Sequence, residues 1–175
     1  MFQGEEVLLL IFALGGVTLK LADFYGERGS RFGYIFAAVS AMCMGLLISD
    51  NPASSSIILG IIVGVVVAGK VNRLSMLSGL CLVLTAAIIL GFAPPRIQLL
   101  AAVAVAAVLD EVGHDRFTVR GGIAFFFRFR AILKVTMLLL VALMWVDLVN
   151  ALGFFCFDIS YDVMDIVLVR MGKEK

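Results

Sequence analysis

The sequence predicts an all-α fold: a polytopic α-helical membrane protein in which residues 1–175 form a single integral membrane domain. Hydrophobic residues make up 62% of the chain and charged residues only 15%. The mean hydropathy is +1.11. A water-soluble domain of this length needs more polar side chains to cover its surface. The apolar residues also fall into seven runs bounded by polar residues, which favours seven transmembrane helices.

The runs predict the helices in chain order. They cover residues 7–22, 32–49, 53–69, 74–93, 97–109, 131–148 and 153–169. The first follows Glu5 and Glu6 rather than a basic segment, so we expect a mature helix and not a cleaved signal. The fifth starts after Pro94-Pro95, and proline suits the first turn of a helix. The first and fifth runs are shorter than the ~20 residues of a span, so we expect both helices to continue through the acids that follow.

The seventh run leaves a count of six spans open. Asp158, Asp162 and Asp165 follow the spacing i, i+4 and i+7, so one face of this helix is acidic. Such a helix spans the membrane if its acidic face meets the other helices, and otherwise it lies on the membrane or re-enters it. The basic tail that begins at Arg170 suits the cytoplasm and favours seven spans over six.

The basic residues predict the orientation. With seven spans, thirteen of the fourteen lysines and arginines fall on one side and only Arg96 falls on the other. Cytoplasmic loops of membrane proteins carry the excess of Lys and Arg. We therefore expect a cell-membrane protein with its N-terminus outside and its C-terminus in the cytoplasm. Because the basic groups flank membrane spans, we expect no binding of nucleic acid.

One acidic motif occurs twice, at the ends of the first and fifth runs. Each copy has a leucine, an acid two residues later, a second acid after four more and then an arginine. The copies are Asp23, Glu27 and Arg28, and Glu111, Asp115 and Arg116. Acids four residues apart share a face of a helix. At a helix C-terminus they oppose the macrodipole, so a bound metal ion or a cation should compensate them. The candidate cations are Lys20, Arg28, Lys70, Arg73 and Arg116.

The repeated motif suggests a metal-dependent reaction. Mg²⁺ prefers oxygen ligands and commonly bridges carboxylates to a substrate phosphate. We expect an intramembrane transferase or hydrolase that acts on a lipid or isoprenoid phosphate at the cytoplasmic face. The metal candidates are Asp23, Glu27, Glu111 and Asp115; the phosphate-binding candidates are Arg28, Lys70, Arg73 and Arg116; Asn72 would orient the substrate. The catalytic candidates are His114, as general base, and Asp115.

The two motifs resemble the aspartate-rich motifs of UbiA-type intramembrane prenyltransferases. The similarity covers Asp23-x-x-x-Glu27-Arg28 and Glu111-x-x-x-Asp115-Arg116. In that family, D-x-x-x-D motifs at the cytoplasmic ends of membrane helices bind Mg²⁺ and an isoprenyl diphosphate. The resemblance implies the same ligands here, held by carboxylates of mixed Asp and Glu type.

Two other functions fit the sequence. An ion or proton-coupled transporter or channel would use Asp158 and Asp162, because acids within a membrane segment typically mark ion pathways. A small structural or accessory subunit would use the same charges only to pair helices. Membrane lipid is the expected partner in every case, and the pattern leaves the oligomeric state open.

Overall fold

The computed structural model describes residues 4–116 and 130–173, and within these ranges the chain forms seven α-helices. They are α1 (Glu5–Glu27), α2 (Phe32–Asp50), α3 (Pro52–Val67), α4 (Leu74–Leu90), α5 (Ile97–Arg116), α6 (Ala131–Ala142) and α7 (Leu148–Lys173). The predicted all-α class is confirmed. Of the described helices, α1, α2 and the Ile97–His114 part of α5 are long and apolar enough to cross a membrane. The apolar helices α3, α4 and α6 are shorter.

Helix ends follow local chemistry. α1 and α5 continue through the acidic motifs, as their lengths predict. α4 ends at Leu90, earlier than the hydropathy suggests, because Gly91 takes a φ of 96° that side chains rarely adopt. The helix of the sixth run also ends earlier than predicted, and the next helix begins earlier. α6 ends at Ala142, Trp145 N–H donates to the Leu140 carbonyl at 2.9 Å, and α7 starts after this turn.

Consecutive helices run in opposite directions, so their connections gather at two ends of the bundle. At one end, the Arg96 guanidinium donates to the Trp145 carbonyl at 3.1 Å, and Arg96 N–H donates to Ser56 Oγ at 2.8 Å. We call this the Arg96 end. At the opposite end Lys70 Nζ lies 3.9 Å from Glu111 Oε2, and we call this the Lys70 end. The division matches the alternation expected from the sequence.

Three pairs of parallel helices pack closely through small residues. A methyl group on Gly16 of α1 would collide with the Phe157 carbonyl of α7. Gly45 of α2 lies against Ala86 of α4 in the same way, and Gly64 of α3 against Ala107 of α5. At these crossings the two helix backbones come close together, because the glycines have no side chain to hold them apart. At each crossing the glycine therefore sets how closely the two helices can approach.

Apolar side chains cover both the core and much of the exterior. Phe12, Phe154 and Met137 are fully buried among neighbouring helices. Outside, Ile88 and Ile89 are each 77% exposed, and many other leucines, valines and isoleucines face outward. Large exposed apolar areas on a folded protein mark surfaces that contact something other than water. This surface is compatible with a membrane location.

Candidate functional site

A buried ion pair lies at the junction of α6 and α7. Lys134 Nζ is 2.5 Å from Asp158 Oδ2 and 3.2 Å from Asp162 Oδ2. Asp158 is only 1% exposed, and Asp162 is half-buried. The two acids share a face of α7 because they are four residues apart. Lys134 lies in the first turn of α6, and its aliphatic stem lets the ammonium group reach them.

A second ion pair joins α5 to the start of α6. Arg130 Nη2 donates to Glu111 Oε1 at 2.9 Å, and the Arg130 guanidinium also lies over the Tyr161 ring at 4.6 Å. Burial lowers the pKa of the Arg130 guanidinium. The nearby side chains of Tyr161, Glu111, Asp158 and Asp162 together raise this pKa by more, so the net shift is upward. Arg130 therefore stays charged at the centre of this contact.

α1 enters the same group of charges through Lys20. Lys20 Nζ lies 2.8 Å from Asp165 Oδ1, 3.6 Å from Asp23 Oδ2 and 5.0 Å from the centre of the Tyr161 ring. Tyr161 thus contacts two cations, Lys20 and Arg130, on different elements. We call the connected set the charge network: Lys20, Asp23, Lys70, Glu111, Arg130, Lys134, Asp158, Tyr161, Asp162 and Asp165.

Asp110 is a buried acid that the sequence reasoning missed. Its Oδ1 accepts a hydrogen bond from Ile132 N–H at 3.1 Å, and its Oδ2 accepts one from Leu133 N–H at 2.7 Å. These two bonds cap the first turn of α6 from α5, and the carboxylate that makes them is only 1% exposed. The spacing in the sequence could have indicated this burial. Asp110 follows Val103 and Ala107 at i, i+4 and i+7 and so lies on the same face of α5, and both of these apolar residues are buried.

The predicted metal ligands do not form one cluster among the described side chains. Asp23 and Glu111 lie on α1 and α5, which do not pack against each other. Each is compensated by a cation, Asp23 by Lys20 and Glu111 by Arg130 and Lys70. Glu27 is exposed. The side chain of Asp115 lies outside the described residues, which hold no group of three His, Cys, Asp or Glu suited to a metal ion. The Mg²⁺ site stays a prediction.

The other predicted site residues lie on the surface of the Lys70 end. Arg28 stacks on the Phe24 ring, with its guanidinium carbon 3.6 Å from the ring centre. Arg73 precedes α4 as its N-cap residue. The candidates with exposed side chains are Arg28, Asn72, Arg73, His114 and Arg116. Lys70 is half-buried beside Glu111.

A second polar cluster lies at the Arg96 end. Asn150 of α7 donates through Nδ2 to Asp147 Oδ1 at 2.8 Å, and its Oδ1 accepts a hydrogen bond from Ser54 Oγ. Asn51 Oδ1 caps α3 by accepting from the N–H groups of Ala53 and Ser54, both at 2.9 Å. Asn51 Nδ2 also lies 3.5 Å from Asn150 Oδ1. We call Asn51, Ser54, Asp147 and Asn150 the Asn150 cluster.

A layer of aromatic side chains separates the two polar regions. Asn150, Phe154, Asp158 and Asp162 are spaced by four residues and so follow one face of α7. Eight residues of helix place Asn150 and Asp158 about 12 Å apart along the axis. Phe154 and the neighbouring Phe12 are fully buried between them. Asp158 is thus buried between Asp162, on the side of the Lys70 end, and the apolar Phe154, on the side of the Arg96 end.

Comparisons with known proteins assign no family. No family model matches the sequence, and neither a curated protein nor a solved structure is significantly similar to it. The charge network, the Asn150 cluster and the aromatic layer between them are therefore the basis for functional inference.

Proposed function

We propose that the protein spans the cell membrane with seven helices, with its N-terminus outside and the Lys70 end in the cytoplasm. The alternating helix directions, the apolar exterior and the unequal distribution of basic residues support this placement. α3 and α4 have 16 and 17 residues and rise about 24–26 Å, whereas the 12 residues of α6 rise about 18 Å. All three are shorter than the ~30 Å hydrocarbon thickness. Local thinning of the bilayer accommodates α3 and α4, and in this placement residues that flank α6 complete its crossing.

Within this membrane placement, we propose a proton-coupled transport function with Asp158 as the proton-binding group. The observation that carries the proposal is the burial of Asp158 near the middle of α7 in contact with Lys134. An ionisable side chain inside a membrane protein costs free energy and typically marks an ion pathway. Ten residues from Leu148 to Asp158 correspond to about 15 Å, half the thickness of the hydrocarbon region.

The charge network supports a simple exchange. When the Asp158 carboxylate takes up a proton, it becomes neutral and its attraction for Lys134 falls. The Lys134 ammonium group then stays paired with Asp162, which is already within 3.2 Å. Loss of the proton from Asp158 restores the first pair. One lysine between two acids thus lets a proton bind and leave without leaving a buried charge unpaired.

The neighbours of Asp158 favour one side of the membrane as the side from which protons reach it. Asp162 and Asp165 continue from it toward the Lys70 end, and both are only half-buried. Phe154 and Phe157 close the route toward the Asn150 cluster. We propose that protons enter from the cytoplasmic side and that α7 must move against Phe12 to open the other side.

The test is a charge-movement measurement on the full chain reconstituted in liposomes on a solid-supported membrane. A jump in pH should give a transient current with the wild type and none with Asp158→Asn. Asp23→Asn is the matched control, because it removes an acid from the edge of the network without touching Lys134. A wild-type current no larger than that of protein-free liposomes, or one that Asp158→Asn leaves unchanged, contradicts the proposal.

The lipid-phosphate enzyme is a second candidate. It is favoured by one observation: Asp23 and Glu111, from the two repeated motifs, both belong to the charge network at the Lys70 end. In such an enzyme Mg²⁺ would stabilise the charge of a leaving phosphate. We would then expect Mg²⁺ to raise the melting temperature of the wild type, and Asp23→Ala and Glu111→Ala to abolish the increase. An unchanged increase in both variants would reject these two ligands. A purely structural subunit would show neither this increase nor the pH-induced current.

A further inference from the structure

An apolar cavity lies among α1, α2, α3 and α4, beside the Lys70 end. Its volume is about 90 Å³, and it is partly open to the exterior. Residues from all four helices line it, including Leu19, Ala41, Met44, Ile61, Val65 and Leu80. Of the described lining residues, only Ser40 has a polar side chain, and its hydroxyl already donates to the Gly15 carbonyl at 3.3 Å. The cavity therefore offers water at most the acceptor side of one hydroxyl, fewer than the two to four polar partners that a buried water needs.

The space exists because small residues face it where larger ones would close it. Ala22, Ala37 and Gly79 are all buried and all line the cavity. A void of this size is larger than a water molecule, and protein interiors normally leave few such voids. Apolar cavities of this kind bind apolar molecules in preference to water. A hydrocarbon chain is the ligand that matches the lining.

Exposed arginines surround the same end of these four helices. Val71, in the α3–α4 connection, lines the cavity, and Arg73 follows it two residues later. The α1–α2 turn carries exposed Arg28 and Arg31. This turn lies close to the start of α4, because a methyl group on Gly26 would collide with Ser75 Oγ. A negatively charged phosphate beside the cavity would find arginine partners from two connections.

We propose that this cavity holds a segment of one hydrocarbon chain of an anionic phospholipid, the rest of which leaves through the open side, with the lipid phosphate bound by Arg73 and Arg31. The proposal rests on the membrane placement given above but not on proton coupling. The chain supplies apolar contact to α1–α4, and the headgroup is recognised by charge. Because the cavity lies among the helices and not on the outer face of one, we expect the lipid to remain bound through purification.

The test uses phosphatidylglycerol added to the delipidated full-length protein, with binding read by native mass spectrometry. Ala41→Leu should fill the cavity and lower lipid occupancy about tenfold, and Arg73→Gln should lower it by a smaller factor. Ala101→Leu, an exposed position on α5, is the matched control and should bind like the wild type. Phosphatidylcholine should bind more weakly than phosphatidylglycerol, and inorganic phosphate alone should not bind.

Equal phosphatidylglycerol binding by the wild type and Ala41→Leu would overturn the proposal. A second measurement keeps the test valid if Ala41→Leu does not fold. A phosphatidylglycerol with a photoreactive group on its chain should crosslink to Met44 or Met76 in the wild type, because both line the cavity. Crosslinks confined to outward-facing residues such as Ile88 would show that the lipid is only part of the surrounding bilayer.

Discussion

Lys134 and Asp158 form an ion pair of 2.5 Å in which the carboxylate is only 1% exposed. This pair joins the first turn of α6 to the middle of α7. The Asp110 carboxylate caps the same turn of α6 from α5. α6 is therefore positioned by two buried carboxylates on different helices. Asp158 forms an ion pair with a side chain, whereas Asp110 accepts hydrogen bonds from the backbone, so substitutions can test the two contacts separately.

Lys134→Met should destabilise the protein more than Asp158→Leu does. Without the lysine, Asp158 is left as a buried carboxylate beside Asp162, and loss of one partner of a buried pair costs about 3–5 kcal/mol. Without Asp158, Lys134 keeps Asp162 as its partner. The free energy of unfolding in mixed micelles measures both. The double variant Lys134→Met/Asp158→Leu should be more stable than Lys134→Met alone, and additive losses would argue against the pair.

Asp110→Ala should destabilise the protein by about 1–3 kcal/mol, because it leaves one buried and one partly buried N–H group without an acceptor. Asp110→Asn keeps one amide oxygen and should cost less. Hydrogen exchange supplies a local measurement: the Ile132 and Leu133 amides should exchange faster in Asp110→Ala than in the wild type. Unchanged exchange at both amides would mean that the cap does not form in solution.

Gly16→Ala and Gly15→Ala test the packing of α1 on α7. A methyl group on Gly16 would collide with the Phe157 carbonyl, so the helices must separate and the loss should be about 1–3 kcal/mol. A methyl group on Gly15 would lie 3.5 Å from Cys43 Cβ, an ordinary contact. Gly15→Ala should therefore be nearly neutral in a thermal unfolding experiment. Equal effects of the two substitutions would contradict the close contact.

The proposed topology predicts opposite labelling of two connections. In a cysteine-free background, Phe92→Cys lies in the α4–α5 connection at the Arg96 end and Asn72→Cys in the α3–α4 connection at the Lys70 end. A membrane-impermeant maleimide should label Phe92→Cys in intact cells and Asn72→Cys only after permeabilisation. Ile88→Cys, on the apolar exterior, is the control and should resist labelling in both conditions, because the reaction needs water. The reverse pattern would invert the topology.

Local features of the chain predicted the helices well. Hydropathy placed all seven, and span length correctly extended α1 to Glu27 and α5 past Glu111. The end of α6 was misplaced, because residues 143–146 are nearly as apolar as the helix before them and hydropathy does not detect the turn at Met144, where φ is 60°. The repeated motif drew attention to Asp23 and Glu111, and the cations expected beside them included Lys20 and Lys70, which pair with Asp23 and Glu111 in the structure. Arg130, the nearer partner of Glu111, was not predicted.

The sequence by itself determined the helical class, the apolar exterior and the end of the bundle at which the charges collect. These follow from the composition of each segment and from the need to satisfy backbone hydrogen bonds within it. Only the tertiary structure decided that Lys134 pairs with Asp158, that Asp110 caps α6 and that Asn150 meets Ser54. Such contacts join distant parts of the chain, as Ser160 and the Ala13 carbonyl do across 147 residues. They depend on which helix faces meet, which the packing of the whole bundle sets and no local pattern encodes.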